Sequence, residues 1–310
     1  MIPLSSALRN LIVLIVLIPL VILVVLQTDS LNGISSVMAN VRYDRLSLGV
    51  LMFGLTFILS SLNYSLLVLK PVRVSRLLVI QIASGFANKL MPAGLGSMTL
   101  NARYLTRSGH NTAQAIAVAS TNNLIGILGH AALLVIALPG LLNGPLPLSV
   151  SATVNKVHVL IVCIVLAIGT WVILGRWGRK IVRIAKQSTV HVKSYRSKPK
   201  IILISVVLSL GITGAYVITL QACVQAVGSH IQPGEALLAL SAGLLGTSVM
   251  PTPGGAGGAE AGIALILSGF GLPATLAVSS ALLYRLMTFW LPLIPGFVVF
   301  EWLQLKKQLF

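Results

Sequence analysis

Charge is scarce in this sequence. Only 9% of its 310 residues are Asp, Glu, Lys or Arg, whereas 56% are hydrophobic, and the mean hydropathy is +0.97. A water-soluble domain carries about 25% charged residues, so there are too few here to cover a solvated surface. Acids are rarer still: Asp29, Asp44, Glu235, Glu260 and Glu301 are the only five. The two aspartates fall in one loop without the paired-carboxylate spacing that would hold magnesium against a diphosphate. His110, His130, His158, His191 and His230 are too dispersed for a metal-ligand set. Cys163 and Cys223 sit in apolar stretches with no CxxC, so neither a disulfide nor a metal site is expected. No P-loop or serine elbow is present. These absences argue against an enzyme, and they call for no cofactor and no metal.

Long uncharged runs are what the chain does have. Leu11–Leu26, Leu46–Leu69, His158–Gly175 and Ile201–Gly228 contain no Asp, Glu, Lys or Arg. A helix needs roughly 20 apolar residues to cross the hydrocarbon core. These runs predict crossings at about 10–27, 46–69, 157–175 and 201–226, and two more follow at 112–138 and 274–299. The first run is long for a signal peptide and lacks a small-x-small cleavage site at Gln27-Thr28-Asp29, so it reads as a retained crossing.

The net charge of +17 suggests nucleic acid until its distribution is considered. Nine of the 22 basic residues lie in the single stretch 176–200, and Lys- and Arg-rich short loops stay in the cytoplasm. With that loop inside, Arg9, Lys70, Arg73, Arg76, Arg103, Arg107, Lys306 and Lys307 are inside too, and only Arg42, Arg45 and Lys156 are outside. The expected location is therefore the cytoplasmic membrane of a prokaryote, with both termini cytoplasmic and no nucleic-acid partner. The basic loop serves as a topology determinant or touches anionic headgroups.

Two apolar segments are badly built for spanning. Ser75–Leu105 is broken around Pro92, Gly94 and Gly96, and Glu235–Phe270 around Pro251, Pro253, Gly254, Gly255 and Gly257. Proline removes an N–H and glycine loosens the backbone. Each segment therefore predicts two half-helices forming a re-entrant hairpin. A shift of 161 residues places Pro92, Gly94 and Gly96 on Pro253, Gly255 and Gly257; a shift of 162 places Gly109, Ala115 and Ala119 on Gly271, Ala277 and Ala281. The expected fold is all-α and polytopic: six transmembrane helices plus two re-entrant hairpins in a 3+3 inverted repeat. It forms one domain over residues 1–310, with repeats at about 1–140 and 150–304. Inverted repeats with matched broken helices are a transporter architecture, and the breaks mark the binding site.

Arg285 is the most informative single residue. It lies twelve residues into an apolar helix, where an arginine costs about 2.5–3.5 kcal/mol to insert, so it needs a cavity, a ligand or an acid. Glu260 is the nearest acidic candidate; it either complements the dipole of the helix it opens or faces a polar cavity. The Gly254–Gly258 turn either packs two half-helices closely or offers N–H groups to an anion. Arg103 and Lys89 flank the first break, where anchoring, snorkelling and substrate contact are all open. Asn123 matches Arg285 under the longer shift, which places it on the same cavity.

The stretches MPAGLGSMTLNARYLTRSG, MPTPGGAGGAEAG and YRLMTFWLPLIPG resemble the lysylphosphatidylglycerol synthase transmembrane (flippase-like) family over essentially the whole chain. The P-x-P-G-G-x-G-x-x-E run is the most specific part. The resemblance implies a membrane domain that moves a lipid headgroup across the bilayer, and in two-part members that lipid is aminoacylated by a separate soluble domain. With Phe310 the last residue of the sequence, neither such a domain nor aminoacyl transfer is expected. The resemblance assigns headgroup contact to Pro253, Gly254, Gly255, Gly257, Glu260 and Arg285, and to Arg103 in the first hairpin. Two positions depart from the family. Gly96-Ser97 stands where Gly-Glu is common, and Asn122-Asn123 where a basic residue is common, which weighs against a lysyl-lipid. The expected function is translocation of a phospholipid or a polyprenyl-phosphate-linked glycolipid. A lipid-modifying enzyme or a second copy of the chain is a compatible partner. The alternative is a non-transporting accessory subunit of a membrane glycosyltransferase or glycolipid synthase.

Overall fold

The structure, a computed structural model, describes residues 40–68, 70–90, 95–143, 199–249 and 252–306. The predicted crossings at 10–27 and 157–175, most of the basic loop, and Pro92, Gly94 and Pro251 lie outside the described residues.

Among the described residues every regular element is helical. In chain order these are α1 (Tyr43–Leu67), α2 (Val74–Leu90), α3 (Leu95–Arg107), α4 (Thr112–Asn143), α5 (Pro199–Ala226), α6 (Pro233–Val249), a 3-10 turn (Pro253–Gly255), α7 (Gly258–Gly269), α8 (Ala274–Arg285), a π-helical turn (Leu286–Trp290) and α9 (Leu293–Leu305). Four stretches are long and apolar enough to cross a membrane: Tyr43–Leu67, Thr112–Ala137, Pro199–Ala226 and Ala274–Leu305. They coincide with four of the predicted crossings. The chain is a membrane protein, and side chains such as Ile127, Val135, Leu203, Leu265 and Ile294 are exposed on its apolar exterior.

Both segments read as broken are broken. The first divides into α2 and α3, and the second into α6 and α7 with the 3-10 turn between them. The two halves of each pair pack together. At one point in the first pair the approach is so close that a Cβ on Gly96 would lie 2.1 Å from the carbonyl oxygen of Ala87.

The two pairs are followed by the same backbone turn. Gly109 has φ 89° and Gly271 φ 88°, a left-handed conformation that favours glycine. His110 N–H donates to the Leu105 carbonyl at 3.1 Å and Leu272 N–H to that of Leu267 at 3.2 Å. Each turn then launches a helix whose matched alanines, Ala115 and Ala119, Ala277 and Ala281, are fully buried. The letters matched at the 162-residue shift thus carry matching turns, of a kind that Gly228 with φ 83° also makes at the end of α5.

Burial is divided accordingly. One apolar core is built from α2, α3 and α4 with the end of α1 and Leu303 of α9; the other from α5, α6, α7 and α8. α1 lies along α5 and joins the two. A third, small cluster of Ala256 and Phe289, flanked by Trp290 and Leu293, sits where the 3-10 turn meets the π turn.

Among the described elements, the helix predicted over 274–299 differs from expectation in its interior. It carries a π turn, with Leu291 N–H donating to the Leu286 carbonyl at 2.8 Å. Pro292 follows at once and has no N–H to continue an α ladder, so the irregularity falls where donors run short.

Candidate functional site

Arg285 is the last residue of α8. Its side chain is 11% exposed, and Nε lies 2.8 Å from Glu260 Oε1. The guanidinium also donates through Nη2 to the carbonyl of Gly254 at 2.9 Å and stacks 4.4 Å from the centroid of the Phe289 ring. Phe289 is one turn along from Arg285, on the same helical face. Glu260 is shared: its second oxygen, Oε2, accepts from the Gly257 backbone N–H at 2.7 Å. The acid thus caps the start of α7, and a cap and an ion pair are made by one carboxylate.

The turn that carries this arrangement has three glycines with positive φ: Gly254 at 64°, Gly255 at 67° and Gly257 at 87°. At Gly254 a second constraint applies, because a Cβ there would lie 2.0 Å from the Phe289 ring. The backbone must approach the aromatic face closely for its carbonyl to reach Arg285. The N–H of Gly255 is taken by Thr252 O at 2.9 Å, and the hydroxyl of Thr252 closes the turn on Ala256 O at 2.7 Å.

The first hairpin reaches the same point. Lys89, in the last turn of α2, donates from Nζ to the carbonyl of Phe289 at 2.8 Å and lies 5.3 Å from that ring's centroid. α2 also touches the 3-10 turn directly. Three charged side chains, Arg285, Glu260 and Lys89, therefore gather at Phe289, where the Gly-rich turn, the end of α2 and the π turn converge.

Among the residues singled out from the sequence, Arg285, Glu260, Gly254 and Gly257 are brought into one hydrogen-bonded unit, and Gly255 and Pro253 belong to the turn that frames it. Gly96 is in the first turn of α3. Arg103 is half-buried further along α3, and Asn123 is exposed on α4. Its neighbour Asn122 is the one that bridges helices, accepting from Asn63 of α1 at 3.0 Å. Phe289 carried no sequence signal beyond its spacing from Arg285. A buried amide network was also missed. Gln81 Nε2 donates to Asn101 Oδ1 at 2.8 Å, and Asn101 Nδ2 donates to Ser84 Oγ at 3.0 Å and to Ser97 O at 2.9 Å. Among the described residues, no group of three His, Cys, Asp or Glu side chains is placed to hold a metal ion.

The model of the lysylphosphatidylglycerol synthase TM region matches residues 10–296. A search of curated proteins gives no match. With nearly its whole length covered, the chain belongs to the lysylphosphatidylglycerol synthase transmembrane-region family.

Proposed function

We propose that this chain is a flippase-like lipid transporter that carries the headgroup of a phospholipid or a polyprenyl-linked lipid across the cytoplasmic membrane while the tails remain in lipid. In this reading the two broken helix pairs are re-entrant hairpins of an inverted 3+3 repeat, both termini are cytoplasmic, and the headgroup passes between the hairpin tips. The chain has no catalytic role in it.

The observation that carries the reading is Arg285, held by Glu260 and the Gly254 carbonyl at the meeting point of two broken helices. A guanidinium offers five N–H donors, and the described bonds use Nε and one on Nη2. The Nη1 donors remain for an anion, and a lipid phosphate is the mobile anion of a membrane. Glu260 compensates the charge when no lipid is present.

Purified protein in liposomes should speed the exposure of a fluorescent phospholipid headgroup to an external quencher without any partner enzyme. Arg285→Gln should abolish that activity while the protein still melts cooperatively in detergent. Full activity in Arg285→Gln would show that the arginine is purely structural.

A further inference from the structure

Lys89 is the unassigned member of the cluster. It is half-buried, and its described hydrogen bond goes to a carbonyl, that of Phe289. Among the described residues no carboxylate lies within ion-pair distance of it, since the ion pairs are those of Asp44 with Arg42 and Arg45 and of Glu260 with Arg285. Lys89 and Arg285 both lie against the Phe289 ring, at 5.3 Å and 4.4 Å, one contributed by each half of the molecule. With Lys89 protonated, two cations and one acid leave the cluster with one positive charge in excess. A charge away from bulk water needs a counter-charge.

No carboxylate among the described residues neutralises that excess. Both oxygens of Glu260 are engaged, by Arg285 and by the Gly257 N–H. Asp44 is exposed and paired with arginines. Glu235 accepts from the Gln232 N–H at 2.9 Å at the far end of α6. Glu301 is four to five turns from Arg285, roughly 24 Å at the helical rise. Asp29 lies outside the described residues. Among the described residues no free carboxylate is at hand for an ammonium group on a ligand.

We propose that Lys89 completes the headgroup site, and that the lipid it selects carries one net negative charge on a single phosphodiester instead of an aminoacylated, cationic headgroup. The inference rests on the lipid-transport reading above and deepens it. One phosphodiester brings the cluster to neutrality: Arg285 engages it through Nη1, and Lys89, a point charge on a flexible stem with two further donors, turns from the Phe289 carbonyl toward the phosphate. The phosphate then bridges the two hairpins. A lysyl headgroup would instead set an ammonium beside two cations with no acid to receive it.

The test uses proteoliposomes with fluorescent phosphatidylglycerol or fluorescent lysyl-phosphatidylglycerol as the probe. Wild-type protein should move phosphatidylglycerol at least ~10-fold faster than the lysyl form, the factor expected of one charge-assisted contact. Lys89→Gln should slow phosphatidylglycerol by about the same factor, and Lys89→Arg, which keeps the charge, should restore most of the rate. Should Lys89→Gln lower the melting temperature of the lipid-free protein, Lys89→Met, which keeps stem length and packing, carries the same comparison. Unchanged phosphatidylglycerol transport in the uncharged variants, with Arg285→Gln inactive, overturns the role of Lys89 and leaves the transport reading standing. Faster movement of the lysyl lipid overturns the substrate class. Wild-type protein that moves neither lipid overturns the transport reading and this inference together.

Discussion

The two helix pairs solve one packing problem with opposite chemistry. Gln81 and Asn101 of the first correspond, at the 161-residue shift, to Ala242 and Gly262 of the second. In the first pair the crossing is closed by an amide hydrogen bond of 2.8 Å. In the second it is closed by bare backbone, for a Cβ on Gly262 would stand 2.4 Å from the Ala242 carbonyl oxygen. The second pair places its polar group nearer the break, where Glu260 and Arg285 join. One pair thus carries a neutral lock deep in its crossing, and the other a charged lock at its tip.

The largest effect should come from the charged lock. Glu260→Gln leaves Arg285 without its counter-charge, and breaking a buried pair from one side costs about 3 kcal/mol or more. Thermal melts in detergent should show a marked loss for Glu260→Gln and a smaller one for Arg285→Gln, in which the remaining carboxylate still accepts from the Gly257 N–H. Equal losses in the two variants would mean that the pair is too solvated to act as a lock.

The neutral lock should respond less and differently. Asn101→Leu strands Gln81 in a buried position, at about 1–3 kcal/mol. Replacing both amides, in Gln81→Leu/Asn101→Leu, should recover much of that loss, because neither amide is then left unsatisfied and only the hydroxyls of Ser60 and Ser84 lose a partner. A double variant as unstable as the single one would show that the amides also fix the register of α2 against α3. Neither change should alter lipid selectivity, whereas changes at Glu260 should.

The smallest effect should appear at the matched turns, where His110 stands opposite Leu272. His110 is buried. Its Nδ1 bonds the Leu105 carbonyl at 3.1 Å, so Nε2 is left to accept from the Lys70 backbone N–H at 3.2 Å. Burial lowers its pKa; the bond to Leu105 opposes that shift and the nearby Lys70 charge adds to it. A base whose folded pKa is depressed contributes stability that is full above its unfolded value of about 6.5 and is lost as pH falls below that. The melting temperature should therefore decline below pH ~6.5, and His110→Leu, which copies the second turn, should flatten the decline. An unaltered pH profile in that variant would assign the decline elsewhere.

What the sequence disclosed follows from rarity. Arg285 and Glu260 stood out because a charged residue inside an apolar run demands a partner, and each proved to be the other's. Proline and glycine clusters disclosed the breaks because their backbone chemistry does not depend on context. The amide network escaped notice because Gln81 and Asn101 are ordinary residues whose meaning lies in facing one another across a hairpin. Lys89 was visible only as a residue flanking a break. Its target, the carbonyl of Phe289, lies in a π turn that no local signal except Pro292 announced.

That π turn sets a phase. A single residue of an α-helix corresponds to about 100° of rotation, and a π turn inserts one. All of α9 is therefore turned about its axis relative to α8 by that amount. Gly296 faces α2 closely enough that a Cβ would lie 2.8 Å from that of Phe86, and Leu303 is buried in the first core. Deleting one residue between Leu286 and Trp290 would restore a regular ladder and point both elsewhere, with every side chain of α9 unchanged. The stretch from Arg285 to Gly296 works as a clutch plate: its angular setting, more than any one contact, decides whether the half of the molecule that holds the arginine engages the half that holds the lysine.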